Sequence, residues 1–142
     1  MANDQKQRPA FTNIHVSQIV AYRLPVAGVV SILHRVSGAL MFLLLPLVVW
    51  LLDVSLTSEV SYERFSNAFI AGVGFVPAFL LKLVVLGLIW AYLHHLIAGV
   101  RHLWMDVTHS VSLQQGRISA LITLGASGLL TIVLGARLFG LY

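Results

Sequence analysis

The chain has 142 residues, of which 58% are hydrophobic and only 10% charged. An ordinary soluble domain is roughly half apolar and about a quarter charged, so this composition excludes that class and specifies a small integral membrane protein. The formal charge of +4, on so little water-facing surface, reads as membrane topology and not as nucleic-acid binding. With no cysteine, the chain offers neither thiolate ligand nor disulfide, and any metal must be met by histidine.

In chain order, residues 1–24 are polar and read as an irregular or interfacial segment. They contain no apolar h-region, which excludes a cleaved secretory signal, and their sparse arginine with Asp4 argues against a transit peptide. Pro25 is suited to open a helix, because its missing N–H costs nothing in a first turn. A first transmembrane helix is expected over residues 25–52, bent at Pro46. Residues 53–75 form a loop in which "YERFSNAF" suits a short surface helix. A second span follows over 76–103, then a polar loop over 104–117 and a third span over 118–139. Each run approaches or exceeds the roughly 20 residues that a helix needs to cross the hydrocarbon core. The runs are continuous and not alternating, which argues against strands.

The third run, "ISALITLGASGLLTIVLGARLFGLY", is rich in Gly, Ala, Ser and Thr and reads as a packing helix. Lys6, Arg8, Arg23 and Arg35 precede or open the first span, and Arg101 and Arg117 flank the loop at 104–117. The 53–75 loop carries Asp53, Glu59 and Glu63 against Arg64. The positive-inside rule therefore expects a cytoplasmic N-terminus and second loop, with the first loop and Tyr142 outside. Lys82, near the outer end of the second span, is placed to snorkel. Three helices leave much apolar surface, so a partner subunit is expected.

The second span ends in "AYLHHLIAGVRHLWMD", where too many water-seeking groups stand in an apolar setting. His95, Gly99, His102 and Asp106 are spaced i, i+4, i+7 and i+11, one narrow stripe, while His94 points about 100° away. Ala91 and Ala98 flank the stripe, so that small side chains line a gap into which a planar macrocycle fits below an imidazole. His95 lies roughly 10 Å deeper than His102 by helix rise. An ionisable group at that depth is costly and usually functional, so His95 is the candidate iron ligand. His102, beside Arg101 and Trp104, reads as an interface residue or a support for the ligand, and His94 as a packing or partner contact. In "SILHRVSG", Ser31, His34, Arg35 and Gly38 share a face of the first span. A hydroxyl, an imidazole and a guanidinium beside a glycine suit an anionic propionate or the carbonyl of a lipid-soluble ring; Arg35 as a snorkelling anchor is the plainer alternative. Both stripes approach one membrane face.

"RPAFTNIHVSQIVAYRLPVAGVVSILHRVSG" together with "HLIAGVRHLWMD" resembles the cytochrome b subunit of succinate dehydrogenase, the larger membrane anchor of respiratory complex II. The likeness covers the whole chain: Arg8-Pro9, then Ser-x-x-His-Arg-x-Ser-Gly opening the first span, then His-x-x-x-Gly-x-Arg-His-x-x-x-Asp closing the second. It implies an all-α anchor of three transmembrane helices, packed with a second small anchor subunit and carrying an iron–sulfur subunit and a flavoprotein. It also implies one haem b shared between the anchors, with ubiquinone as substrate and no catalysis by this chain alone. By the same resemblance His95 is the haem axial ligand and so the iron-binding residue, in preference to His94. His34 falls near the haem propionates and Ser31 and Arg35 at the quinone; His102 (propionate or ligand support) and Asp106 (quinone) are further candidates. Thr108 and "FTNIH" depart from the common pattern without touching a proposed ligand. With Arg8-Pro9 so early, a bacterial inner membrane is expected in preference to a mitochondrial one.

Two alternatives have different signatures. A haem-free structural anchor of a related fumarate reductase or succinate dehydrogenase would lack a b-type haem signal. An ion-coupled transporter subunit needs carboxylates at membrane depth, whereas Asp4, Asp53, Glu59, Glu63 and Asp106 all fall in tails, loops or span ends.

Overall fold

The computed structural model describes residues 15–109 and 112–142; the readings for residues 1–14, including Arg8-Pro9, lie outside them. Five helices follow in order: α1 (Val16–Ala21), α2 (Val26–Thr57), α3 (Glu59–Ala71), α4 (Ala78–Thr108) and α5 (Leu113–Leu138). There is no strand among the described residues. Three helices, α2, α4 and α5, are long and apolar enough to cross a membrane. The chain is thus an all-α, multi-pass membrane protein.

Proline and short polar side chains set the helix ends. Pro25 and Pro77 hold extended backbone at the N-caps of α2 and α4, where a missing N–H leaves no helical bond unmade. Ser58 ends α2 and caps α3: its hydroxyl accepts from the Ser61 N–H at 3.2 Å, and Ser61 Oγ returns the bond to the Ser58 N–H at 3.0 Å. Ser112 and Gln115 build the same reciprocal cap on α5. α4 stops at His109, which takes a left-handed conformation at φ 55° and donates its N–H to Met105. Between α3 and α4 the chain reverses through Gly72, at φ 91°, into a pair of hydrogen bonds joining Val73 and Val76.

The helices run further than the apolar stretches. α2 has 32 residues, about 48 Å at 1.5 Å per residue, well beyond a hydrocarbon core of about 30 Å. It continues through Pro46. The polar loop expected over 104–117 is mostly helical: α4 persists to Thr108 and α5 begins at Leu113. The reason is that a helix satisfies its own backbone in water and lipid alike, so polar residues mark the membrane boundary without ending the helix.

α4 is the middle helix, packed against α2 on one side and α5 on the other, while α3 lies across the end where α2 stops and α4 starts. Small residues fill the interior. Val30, Ala91, Ala98 and Ala120 are its buried apolar residues, joined by Ser37, Thr123 and Ser127. The buried hydroxyls bond back into their own helices: Ser37 to His34 O at 2.9 Å, Thr123 to Ser119 O at 2.9 Å and Ser127 to Leu124 O at 3.2 Å. Small, and satisfied first by their own backbones, these side chains permit close helix approach in lipid, and Ser37 and Ser127 also reach His95 and His94 across the interfaces at 3.4 Å. Large hydrophobic side chains point outward instead, Leu43 at 72% exposure and Ile132 at 71%. A water-facing surface of that kind would aggregate; lipid or another subunit covers it here.

Two contacts fix the ends of α5 on α4. Arg101 is buried, with Nε donating to Ser119 Oγ at 2.9 Å and Nη2 to Gly116 O at 3.3 Å. At the opposite end Lys82 Nζ lies 5.7 Å from the centre of the Phe139 ring, a cation–π contact.

Candidate functional site

The two polar stripes meet. His34, projecting from α2, lies between two histidines of α4: its ring stacks on His95 with centroids 4.2 Å apart and planes at 16°, and meets His102 at 5.2 Å and 46°. His95 and His102, spaced seven residues apart, lie two turns apart on one face of α4, so a single ring from α2 fills the space between them.

The contact needs a glycine. A Cβ on Gly38 would stand 2.7 Å from His95 Cε1 and 3.1 Å from Nδ1, inside the space the ring occupies. Gly99 is less crowded, its Cβ position lying 3.6 Å from His34 Nε2. The small residues therefore admit imidazoles between the helices. Ala91 and Ala98, expected to border a gap for a macrocycle, are instead buried, and Ala98 packs in the core with Val30 and Ala120. Their small size serves helix packing, because they stand on the flank of α4 turned toward its neighbours.

Hydrogen bonding decides the tautomer of His95. Nδ1 lies 3.0 Å from the His34 carbonyl oxygen, and a carbonyl only accepts, so Nδ1 carries the proton and Nε2 keeps its lone pair. Ser37 Oγ donates to the same carbonyl at 2.9 Å and stands 3.4 Å from Nδ1. Among the described residues Nε2 has no hydrogen-bond partner and is not enclosed, whereas His94 Nε2 is a buried nitrogen left without one. His94 is wholly buried, stacked on Trp90 at 5.3 Å, with Nδ1 3.4 Å from Ser127 Oγ. Adjacent histidines thus have opposite surroundings: one faces the bundle interior, the other presents a bare nitrogen.

No group of three or more histidine and acidic side chains could enclose a metal ion among the described residues. One bare imidazole nitrogen suits an iron whose equatorial positions are filled by a porphyrin, which asks a protein only for axial ligands. The residues present fit that group, and they do not fit a free metal ion.

Of the remaining candidates, Ser31 is half-buried and Arg35 exposed; Arg35 Nε donates to the Ser31 backbone oxygen at 3.3 Å. The guanidinium is held along α2, one turn from His34. Asp106 is exposed, one turn beyond His102. Toward the α3 end, an apolar groove of about 630 Å³ lies between α2 and α4 and reaches α5, lined by Met41, Leu45, Val48, Leu88, Tyr92 and Leu134. Met41 is one turn from Gly38 and Tyr92 one turn from His95, so groove and histidines adjoin. Two residues escaped the reading of the stripes. Arg101 shows its buried position in its spacing, three residues from Ala98 and seven from His94. Ser37, three residues after His34, is the serine of "SILHRVSG" that spacing alone leaves off the outer face.

The family described as "Succinate dehydrogenase/Fumarate reductase transmembrane subunit" matches residues 5–134. A "Succinate dehydrogenase cytochrome b556 subunit" of Paracoccus denitrificans is 30% identical over 112 residues, 79% of this chain and 81% of the relative. The protein of the same description from Coxiella burnetii is 35% identical over 102 residues, 72% of this chain and 77% of its own length. A "Succinate dehydrogenase cytochrome b560 subunit" of Reclinomonas americana is 26% identical over 115 residues. With a match over nearly its full length and relatives of this identity across most of both chains, the chain belongs to the succinate dehydrogenase/fumarate reductase transmembrane subunit family, among its succinate dehydrogenase cytochrome b members.

Proposed function

We propose that this chain anchors succinate dehydrogenase in a bacterial inner membrane, supplies one axial ligand, His95, to a single haem b, and forms part of a ubiquinone site. The observation that carries the reading is the His95 imidazole: Nδ1 is tied to the His34 carbonyl at 3.0 Å and Nε2 is left bare. The naming of relatives as cytochrome b subunits supports haem b, with the second axial ligand coming from a second small anchor subunit. That subunit would cover the apolar groove beside the histidines. An iron–sulfur subunit and a flavoprotein would complete the complex on the cytoplasmic side, and succinate would never touch this chain.

Held by His95 and an imidazole of the partner anchor, the haem would supply one-electron transfer. His95 holds its place through the carbonyl bond and the stack on His34. His34 and His102, next along the ladder, would supply hydrogen-bond donors to anionic propionates. Ser31 and Arg35 would orient the quinone and donate hydrogen bonds as negative charge develops on its oxygens, with Asp106 a further candidate contact one turn beyond His102.

The test is a reduced-minus-oxidised spectrum of the purified complex. His95→Ala should abolish or disturb the b-type signal while the four subunits still co-purify, and His94→Ala should largely preserve it. The reverse pattern would move the ligand to His94. A wild-type complex without any b-type signal would leave only the anchoring role.

A further inference from the structure

We propose that Ser37 is a positioning residue for His95: its hydroxyl shares the His34 carbonyl with His95 Nδ1 and so limits how strongly that carbonyl draws on the imidazole. The inference rests on the reading of His95 as the iron ligand and adds a residue that acts through it.

The His34 carbonyl is an oversubscribed acceptor. It lies within α2, where its helical donor is the N–H of Gly38, four residues on. It also receives the Ser37 hydroxyl at 2.9 Å and His95 Nδ1 at 3.0 Å. Three donors thus meet two lone pairs. Ser37 is 1% exposed, so its hydroxyl has no solvent to turn to, and the next nearest side-chain partner is Nδ1 itself, at 3.4 Å. With its proton on the carbonyl, the Ser37 hydroxyl stands 3.4 Å from Nδ1, beyond the 3.0 Å carbonyl bond, so the carbonyl is the dominant acceptor of the imidazole N–H. That fixes the direction of every proton in the cluster: Ser37 and His95 donate, His34 accepts, and Nε2 stays bare.

A carbonyl bonded to Nδ1–H raises the donor strength of the opposite nitrogen, because partial removal of that proton puts electron density on the ring. Each competing donor on the same oxygen weakens this pull. Removing the Ser37 hydroxyl leaves the oxygen to Gly38 and His95, makes the imidazole a stronger ligand, and favours oxidised over reduced iron. A residue that only filled space would change packing without a signed effect on the redox couple.

The experiment is spectroelectrochemical titration of the b-type signal in the purified complex, for wild type, Ser37→Ala and the near-isosteric Ser37→Cys, with His95→Ala alongside. Ser37→Ala should retain haem and a low-spin spectrum, with a midpoint shifted negative by about threefold to tenfold in the reduced-to-oxidised ratio, tenfold being 59 mV for one electron. Ser37→Cys, whose thiol donates weakly, should shift the same way if Ser37→Ala fails to assemble. An unchanged midpoint, a positive shift, or loss of haem from an otherwise assembled Ser37→Cys complex would overturn the role of Ser37. Retention of the unaltered signal in His95→Ala would instead overturn the ligand reading beneath it, and the two failures are separately visible.

Discussion

Gly38→Ala tests the packing of the histidine ladder more sharply than any substitution of the histidines themselves. A methyl at residue 38 would stand 2.7 Å from His95 Cε1, about 0.8 Å short of ordinary carbon–carbon contact at about 3.5 Å. Both helices are continuous there, so the ring must retreat from α2. In doing so it leaves the His34 carbonyl, and the 3.0 Å bond is stretched or broken. Overpacking of this kind costs about 1–3 kcal/mol and the lost hydrogen bond about 1 kcal/mol, while alanine returns about 1 kcal/mol of helix propensity relative to glycine. The net expectation is a destabilisation of about 1–3 kcal/mol, read as a lower thermal midpoint of the detergent-purified complex, together with a disturbed haem spectrum. Gly99→Ala is the matched control. Its Cβ would meet His34 Nε2 at 3.6 Å, an ordinary contact, so the same propensity gain should leave the complex neutral or slightly more stable. A Gly38→Ala complex with unmoved stability and spectrum, or a Gly99→Ala complex equally damaged, would refute the claim that residue 38 is glycine to seat this imidazole.

Arg35→Ala should depress succinate-driven quinone reduction while succinate oxidation with an artificial acceptor survives; equal loss of both would mean failed assembly. Arg101→Ala removes the two hydrogen bonds by which this buried side chain ties α4 to α5, to Ser119 and Gly116, so the thermal midpoint should fall by the equivalent of about 1–3 kcal/mol with the haem spectrum little changed. His109→Gly relieves a left-handed residue at φ 55°, a conformation that glycine adopts without steric cost. It should be neutral or raise stability by up to about 1 kcal/mol in the same melt.

Much of the site was legible because it depends on helical angle alone. The seven-residue spacing of His95 and His102, and the face shared by Ser31, His34, Arg35 and Gly38, needed no tertiary information. What spacing could not supply was which neighbour each small residue meets. Ala91 and Ala98 have the right size to border a macrocycle, yet they stand on the flank of α4 that packs into the bundle, and one helix seen alone does not distinguish the two. Ser37 was hidden for the same reason: its importance lies in a carbonyl shared across two helices. The ends of α4 and α5 lie beyond the apolar runs because hydropathy records where lipid stops, whereas helices end at caps. The Ser112–Gln115 cap and the left-handed His109 mark those ends better than the polar composition between them.

The inward hydroxyls have an outcome for assembly. Since Ser37, Thr123 and Ser127 bond first to their own backbones, and only Ser37 and Ser127 also reach a histidine of α4 at 3.4 Å, these hydroxyls place few fixed teeth along the length of the long helices. Sliding of α5 past α4 is opposed chiefly at three pegs, Arg101 at one end, His94 against Ser127 midway and Lys82 against Phe139 at the other. Axial alignment should therefore settle after the helices have come together, when the pegs engage.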